Sequence, residues 1–292
     1  MRHLLLVLPL VGCGVARRAP DAPAPATRPA EPTTPAPRPS ANDGPWTFAW
    51  QPGTGAYAIA SDATIELRGD SLPAEQVRTT TFVRYTIARG ADAAADVQGF
   101  VDSVIVEPIG RAGRVAGSRQ RALADPISFS ARLDADRRRV EFPPLSSACA
   151  VAAERTPAGA ALVTARDLLL PLPQALARNA TWRDTVTSTV CRGDLPVTTT
   201  AVRTYTVEGM GDFEGTPALR VRRVSEVRLA GAKGGRRPAR LEGSGTATQL
   251  LHVSPEGVLL GATAESTAQL RLVAGEESGE LRQRARTVVR RR

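Results

Sequence analysis

From Trp46 onward the dominant period of the sequence is two, and this feature constrains the fold more than any other. Successive side chains of a β-strand point to opposite faces of a sheet, so alternation of apolar and polar residues indicates half-buried strands. The clearest segment, Val197–Val207, reads VTTTAVRTYTV and contains almost no helix formers. Clusters of Gly, Pro and Asp such as GMGDFEG and SPEG provide turns. The pattern predicts an all-β, mostly antiparallel fold.

One segment departs from the strand pattern. Gly159–Leu169 is the best candidate for a helix, because Pro171 and Pro173 would end it. An extended crossing between strands is an alternative for the same residues. The sequence pattern predicts no long amphipathic helix elsewhere.

The strand pattern contains an internal repeat. At an offset of 120 residues, Val77–Ile87 (VRTTTFVRYTI) matches Val197–Val207 with five identical positions. A single meander would leave two sheet edges and one apolar face uncovered, so we predict a duplicated β-meander whose copies form one curved sheet, a half-barrel or two facing sheets. If the repeat is real, Tyr85 and Tyr205 should point to the same side of their sheets.

The N-terminus, MRHLLLVLPLVGCG, has the character of an export signal. Arg2 gives a short positive region, and Leu4–Val11 form an apolar run that is too short to span a bilayer. The segment Leu10–Cys13, which reads LVGC, resembles the lipobox of bacterial lipoproteins. That resemblance implies cleavage before Cys13, a diacylglycerol on its thiol and an acyl chain such as palmitate on its new amine. An ordinary signal peptide with a chance cysteine, or a buried N-terminal strand, is the alternative.

The predicted anchor sets the compartment. A lipoprotein of this kind lies in the bacterial cell envelope, held to a membrane by its N-terminal lipid. Gly14 follows the cysteine where retained lipoproteins of enteric bacteria carry Asp, and this resemblance implies transfer to the outer membrane. Which side of that membrane the protein faces is left open by the sequence.

A Pro/Ala-rich segment separates the anchor from the predicted folded part. Ala19–Pro45 has no apolar periodicity and cannot bury enough surface to fold, so we predict a disordered, PPII-like linker. At ~3.1 Å per residue its reach approaches about 80 Å. A Pro-rich ligand for a partner domain is the alternative to a spacer.

The mature chain would keep two cysteines, Cys149 and Cys191. The predicted compartment is oxidising, so we predict a disulfide between them that ties the bridge between the repeats to the second repeat. Closing that loop contributes about 4 kcal/mol in the chain-entropy model. Two cysteines with one mature histidine do not make a zinc site.

Sequence motifs for catalysis are missing. After cleavage His252 is the one histidine of the mature chain, and the sequence has no G-x-S-x-G elbow, P-loop, GxGxxG or EF-hand loop. The paired acids Asp134/Asp136 and Glu276/Glu277 fall in predicted turns, where solvation explains them better than acid–base chemistry. We therefore predict a protein that is not an enzyme and that uses no cofactor or metal.

The net charge of +9 is carried mostly by arginine. Arg282, Arg284 and Arg286 alternate and would share one face of a strand. This face with its basic tail is either a solvated outer surface or a contact for anionic lipid headgroups or another envelope polyanion. Nucleic acid is disfavoured by the compartment and by an aromatic content of 4%. The residues of this candidate contact are Arg282, Arg284, Arg286, Arg290, Arg291 and Arg292.

A curved antiparallel sheet behind an N-terminal lipid is similar to the half-barrel carriers of the bacterial envelope, the lipoprotein-localisation and mycobacterial lipid-binding lipoprotein families. The likeness implies an apolar concavity for an acyl chain or similar ligand. The alternative is a structural or interaction protein that binds another envelope component through its sheet edges or basic face. The predicted organisation is a signal peptide over 1–12, a lipidated cysteine and disordered linker over 13–45, β repeat 1 over 46–148, a bridge over 149–179, and β repeat 2 with a basic C-terminal strand over 180–292.

We expect Cys13→Ser to abolish lipidation and cleavage, because the thiol is the acceptor of the diacylglycerol in the lipoproteins that this segment resembles. Detergent-phase partitioning and the mass of the processed chain measure both effects. A mutant that still fractionates with membranes after a salt wash would contradict the predicted anchor.

Overall fold

The computed structural model describes residues 44–48, 51–68, 74–90, 94–109, 120–121, 123, 125–134, 140–141, 157–192, 195–235 and 238–292. These residues form fourteen strands and one helix, α1 (Pro157–Arg166). The strands are β1 (Trp46–Thr47), β2 (Gly53–Arg68), β3 (Glu75–Arg89), β4 (Ala95–Ile109), β5 (Gln120–Arg121), β6 (Ile127–Leu133), β7 (Val140–Glu141), β8 (Ala175–Leu176), β9 (Thr181–Arg192), β10 (Leu195–Phe213), β11 (Thr216–Lys233), β12 (Ala239–Val253), β13 (Leu259–Ala274) and β14 (Glu277–Arg291).

The alternation read from the sequence is the alternation of burial in the strands. In β2 every second residue from Tyr57 to Ile65 is buried, and in β11 the exposed arginines alternate with buried Val and Leu. One face of the sheet therefore carries the core and the other meets solvent. The predicted all-β, antiparallel class is confirmed, and the sheet is a curled half-barrel.

The first long strand of the chain, β2, lies near the middle of the sheet. The path is β7-β6-β4-β3-β2-β14-β13-β12-β11-β10-β9, with β5 paired to β4, and every pairing is antiparallel. From β2 the chain runs outward to one edge, crosses to the opposite edge, and returns strand by strand to β14 beside β2. The two meanders thus share one sheet, which is one of the arrangements predicted from the repeat.

Helix α1 lies in the crossing between the two edges. It packs against β4 and β6 near one edge and against β9 at the other, so it spans the gap that the curl leaves open. The residues after it continue as a short turn, with the Leu168 amide donating to the Ala165 carbonyl at 3.2 Å. The helix predicted over Gly159–Leu169 is confirmed, although it begins at Pro157 and ends at Arg166.

The strands that carry the sequence repeat are equivalent in the sheet. β3 pairs with β2 and β10 pairs with β9, in each case the strand before it. Tyr85 and Tyr205 both point to the buried face, with 5% and 0% exposure. The register predicted from the repeat is therefore correct at these positions, while the division into two repeat domains stays a prediction.

Close packing on the concave face depends on a glycine in β4. Gly99 lies opposite Phe129, and a Cβ atom on Gly99 would stand 2.0 Å from the end of that phenylalanine ring. Phe129 is buried in the main apolar cluster, so the ring can move only by displacing its neighbours.

We expect Gly99→Ala to lower the free energy of unfolding by about 1–3 kcal/mol, because the added methyl overpacks the core against Phe129. Urea unfolding measures the change, with Gly53→Ala as the control, since nothing lies within 4 Å of a Cβ at Gly53. The double variant Gly99→Ala/Phe129→Leu should recover part of the loss. Equal stability of the two alanine variants would refute the contact.

Candidate functional site

The interior of the half-barrel is apolar at the end that holds α1. Side chains of α1 and of Leu168–Leu172 pack here against the inner faces of several strands, together with Phe48. Within the same cluster, the Tyr57 hydroxyl donates to the Leu259 carbonyl at 2.8 Å and lies 3.0 Å from the Tyr85 hydroxyl. This closed end is filled by protein.

The chain enters the structure at this closed end. β1 pairs with β8, and Trp46 packs against the main apolar cluster. The cis Gly44–Pro45 peptide lies just before it, with a Cβ on Gly44 meeting the Leu176 carbonyl at 2.9 Å. The rest of the predicted linker lies outside the described residues. The linker therefore joins the half-barrel beside α1.

Next to the closed end lies a group of buried charged side chains. The Arg203 guanidinium donates to Asp167, the residue that follows α1, and Arg223 donates to the other oxygen of the same carboxylate at 3.4 Å. Asp184 on β9 lies 3.9 Å from Arg203 and accepts a hydrogen bond from the Tyr205 hydroxyl at 3.3 Å. Two arginines and two aspartates thus connect three strands to the end of the helix.

Burial makes this group costly to break. The side chains of Arg203, Asp167 and Arg223 are 10%, 11% and 2% exposed. Burial raises the pKa of Asp184, and the nearby Arg203 and Arg223 act against that rise. Removing one partner of such a group leaves an uncompensated charge in the interior. The group therefore fixes the position of α1 against the sheet.

Several polar atoms in and next to this group of buried charged side chains have no hydrogen-bond partner in the described part of the chain. They include Nε and Nη1 of Arg223, Oδ1 of Asp184 and Oε1 of Gln249, the residue opposite Arg223 on β12. Each of these atoms is almost completely enclosed. We assign this group of buried side chains a structural role, because its ion pairs join the end of α1 to the sheet.

The open space lies at the other end of the half-barrel. A cavity of about 1010 Å³ is lined by β2, β14, β13, β12 and β11. Four leucines in cross-strand register form one row of the cavity lining. In order across the sheet they are Leu67, Leu281, Leu270 and Leu229. Gly243 lies in the same row between Leu270 and Leu229. The cavity wall thus has an apolar strip.

Gly243 keeps that strip closely packed. A Cβ atom on Gly243 would stand 2.4 Å from Leu270 Cδ2 and 2.7 Å from the Gln269 carbonyl oxygen. A larger residue here would push Leu270 out of the row. Glycine is therefore required for the leucine row to keep its register.

Charged residues at the alternate positions of the same strands, whose side chains face the outer side of the sheet, contribute the rest of the cavity lining. Arg68 is paired with Glu280 at 3.1 Å across β2 and β14, and both side chains are exposed. The lining therefore combines an apolar strip with charges of both signs. The charged lining residues are Glu66, Arg68, Arg228, Glu242, Arg271, Glu280 and Arg282.

The cavity is far from the closed end. Leu229 lies ten residues beyond Leu219 on β11, and Leu219 belongs to the main apolar cluster around α1. At about 3.3 Å per residue the two levels are roughly 33 Å apart along the strand. The linker and the cavity thus lie at opposite ends of the sheet.

The structure describes one of the three cysteines for which the sequence predicts a role. Cys13 and Cys149 lie outside the described residues. Cys191 is on edge strand β9, with 1% exposure. The lipid on Cys13 and the Cys149–Cys191 disulfide stay predictions.

The predicted strand face at the C-terminus is present. Arg282, Arg284 and Arg286 are exposed while the residues between them are buried. The last arginines belong to the fold and do not form a loose tail, because Arg291 donates to the Thr54 carbonyl at 3.3 Å and the Arg292 guanidinium lies 5.2 Å from the Phe82 ring.

His252 lies next to a strand end, as its sequence context predicts. It is half-buried and stacks on Phe213 at a centroid distance of 4.4 Å. Burial lowers the pKa of His252, and the facing Arg220 lowers it further. Neutral imidazole packed on an aromatic ring fits a structural contact.

Sequence reasoning missed the buried charges and the position of the cavity. Arg203 and Arg223 occupy the same strand parity as buried Tyr205 and Val221. An arginine at an inward position of an otherwise apolar alternation could have indicated a buried charge. The position of the cavity had no such signal, because it depends on the register of five strands, and β2 lies far from the other four in sequence.

No protein-family model matches this chain, and no curated protein matches it. Comparison with solved structures finds an outer membrane channel from Pseudomonas putida F1. The match has 10% sequence identity and a TM-score of 0.27, and it covers 88% of this chain and 100% of that chain.

Among the described residues, no cluster of three or more His, Cys, Asp or Glu side chains could hold a metal ion. Within the same residues, no helix has the length and apolar character needed to cross a membrane.

We expect Asp167→Asn to lower the free energy of unfolding by about 3–5 kcal/mol, because it leaves Arg203 and Arg223 without their shared carboxylate. The control is Asp62→Asn, since Asp62 pairs with Arg78 at 2.6 Å where both side chains are about half exposed. That change should cost less than about 1 kcal/mol. Similar losses for the two variants in urea unfolding would show that the buried group does not hold the fold.

Proposed function

We propose that this protein is a lipid-anchored, non-enzymatic envelope protein that binds a lipid or other hydrophobic ligand at the open end of its half-barrel. The observation that carries the proposal is the cavity of about 1010 Å³ with its row of leucines. Ligand pockets commonly enclose about 300–1,000 Å³ and are lined by apolar side chains with a few polar groups.

The composition of the lining favours an amphiphile over a purely apolar ligand. The accessible part of the leucine row, Leu67 and Leu281, offers burial for an acyl chain, at about 0.8 kcal/mol for each methylene removed from water. Arg228 and Arg271 also line the cavity, but they alternate with Leu229 and Leu270 and face the outer side of the sheet. The ligand would lie with its chain on the leucines and its polar head in water.

The predicted anchor complements this role. A lipid on Cys13 would hold the half-barrel to a membrane, which we propose to be the outer membrane. The cavity lies at the end of the sheet opposite Gly44 and Pro45, where the described chain meets the predicted linker.

Leu67→Glu tests the binding site. Leu67 is 41% exposed, so a carboxylate there should leave the fold intact while placing charge in the apolar strip. We expect at least a tenfold weaker affinity for a fluorescent fatty acid, measured by titration, and loss of lipid from solvent extracts of the purified protein.

The matched control is Val224→Glu, which replaces a 40% exposed apolar residue on the outer face of β11 with the same carboxylate. It should bind the fatty acid as the parent chain does. Absence of bound lipid and of titratable binding in the parent chain would refute the proposed function and leave a structural role.

A further inference from the structure

The strand at the centre of the sheet carries a line of arginines on its outer face. Five strands lie on each side of β14 in the sheet path. The concave face of β14 holds the buried residues Gln283, Ala285, Thr287 and Val289. Its outer face therefore forms the crest of the half-barrel. The crest residues Arg282, Arg284, Arg286 and Arg290 are all exposed.

The spacing of the crest residues makes an extended positive line. Residues two apart on one strand face are separated by about 6.6 Å, so the eight-residue step from Arg282 to Arg290 covers about 26 Å. That length is several Debye lengths at physiological salt, about 8 Å each. A partner must therefore be an extended anionic surface to meet all of it.

Two of the four crest arginines have no acidic residue directly opposite them on the neighbouring strands. Arg284 lies between Thr64 and Thr267, and neither neighbour is acidic. Arg290 likewise lies between Ala58 and Gly261. These two arginines face no carboxylate from an adjacent strand.

The other two crest arginines have acidic neighbours that offset part of their charge. Arg282 faces Glu66, and Arg286 lies between Asp62 and Glu265. Asp62 is already engaged, because both of its oxygens accept hydrogen bonds from Arg78 at 2.6 and 2.7 Å. The crest as a whole thus stays positive.

The shape of the crest selects between anionic partners. A convex half-cylinder meets a plane along the line of its crest, whereas a single polyanionic chain binds best in a groove that contacts it from both sides. The arginines lie on that line, and Arg284 and Arg290 have only short threonine, alanine or glycine residues beside them. The geometry fits a planar anionic surface.

We propose that the crest of β14 docks the half-barrel on an anionic lipid surface. The arginines contact headgroup phosphates, and each contributes about a fivefold increase in partitioning. The proposal rests on charge and curvature and is independent of the cavity, so either can fail without the other.

The test uses the full chain with Cys13→Ser, so that no covalent lipid contributes. Sedimentation with phosphatidylcholine vesicles, with and without phosphatidylglycerol, measures partitioning at low salt. The crest variant is Arg284→Gln/Arg286→Gln/Arg290→Gln, which leaves the cavity lining intact. The control variant, Arg183→Gln/Arg222→Gln/Arg240→Gln, removes the same charge from exposed positions of β9, β11 and β12.

We expect the parent chain to bind the phosphatidylglycerol vesicles and to be released near 1 M salt, where the Debye length is about 3 Å. The crest variant should lose at least tenfold in partitioning and the control less than threefold. Equal losses would mean that net charge alone drives binding, which overturns the proposal. The proposal would also be overturned if the chain binds heparin through the crest arginines but does not bind the vesicles. That result would indicate a linear polyanion as the partner.

Discussion

The ladder between β2 and β14 joins two meanders into a single sheet. It runs from Tyr57 opposite Arg291 to Arg68 opposite Glu280, with unbroken antiparallel register. Without it, each meander would end in a long unpaired edge of its own, and exposed edges of this length pair readily with other chains. With it, the sheet is wide enough to curl and to enclose an interior.

The interior created by that curl is divided along its length. At one end α1 and the leucines after it fill the space, and Asp167 ties them to β10 and β11 through Arg203 and Arg223. At the other end a smaller apolar cluster holds Leu229 and Leu270, and a cavity opens beside it. The same sheet therefore provides a packed core and an open site, and the buried charges mark the boundary between them.

The sequence predicted what local periodicity determines. Alternation located the long strands, and the repeat correctly predicted that Tyr85 and Tyr205 point to the same face, because side-chain direction follows from counting along a strand. Pairing between β2 and β14 could not be predicted in this way, since it joins residues more than two hundred positions apart and leaves no local signal.

The candidate site was predicted in kind and not in place. The general likeness to half-barrel carriers implied a concavity, but the leucine row depends on the register of five strands at once. Arg203 and Arg223 were hidden among the many arginines of a basic chain, because only their parity distinguishes them from the exposed ones.

The position of β14 has a consequence for how the molecule is made. During synthesis β2 leaves the ribosome long before β14, the strand that pairs with its second edge. The first residues of the two strands, Gly53 and Glu277, are 224 positions apart. At about 5–20 residues per second this interval lasts roughly 10–45 s, and throughout it the β2 edge has no native neighbour. Closing so long a loop is entropically expensive and slows folding. Assembly of the sheet therefore waits for β14, which would suit the exported chain that the N-terminal sequence predicts.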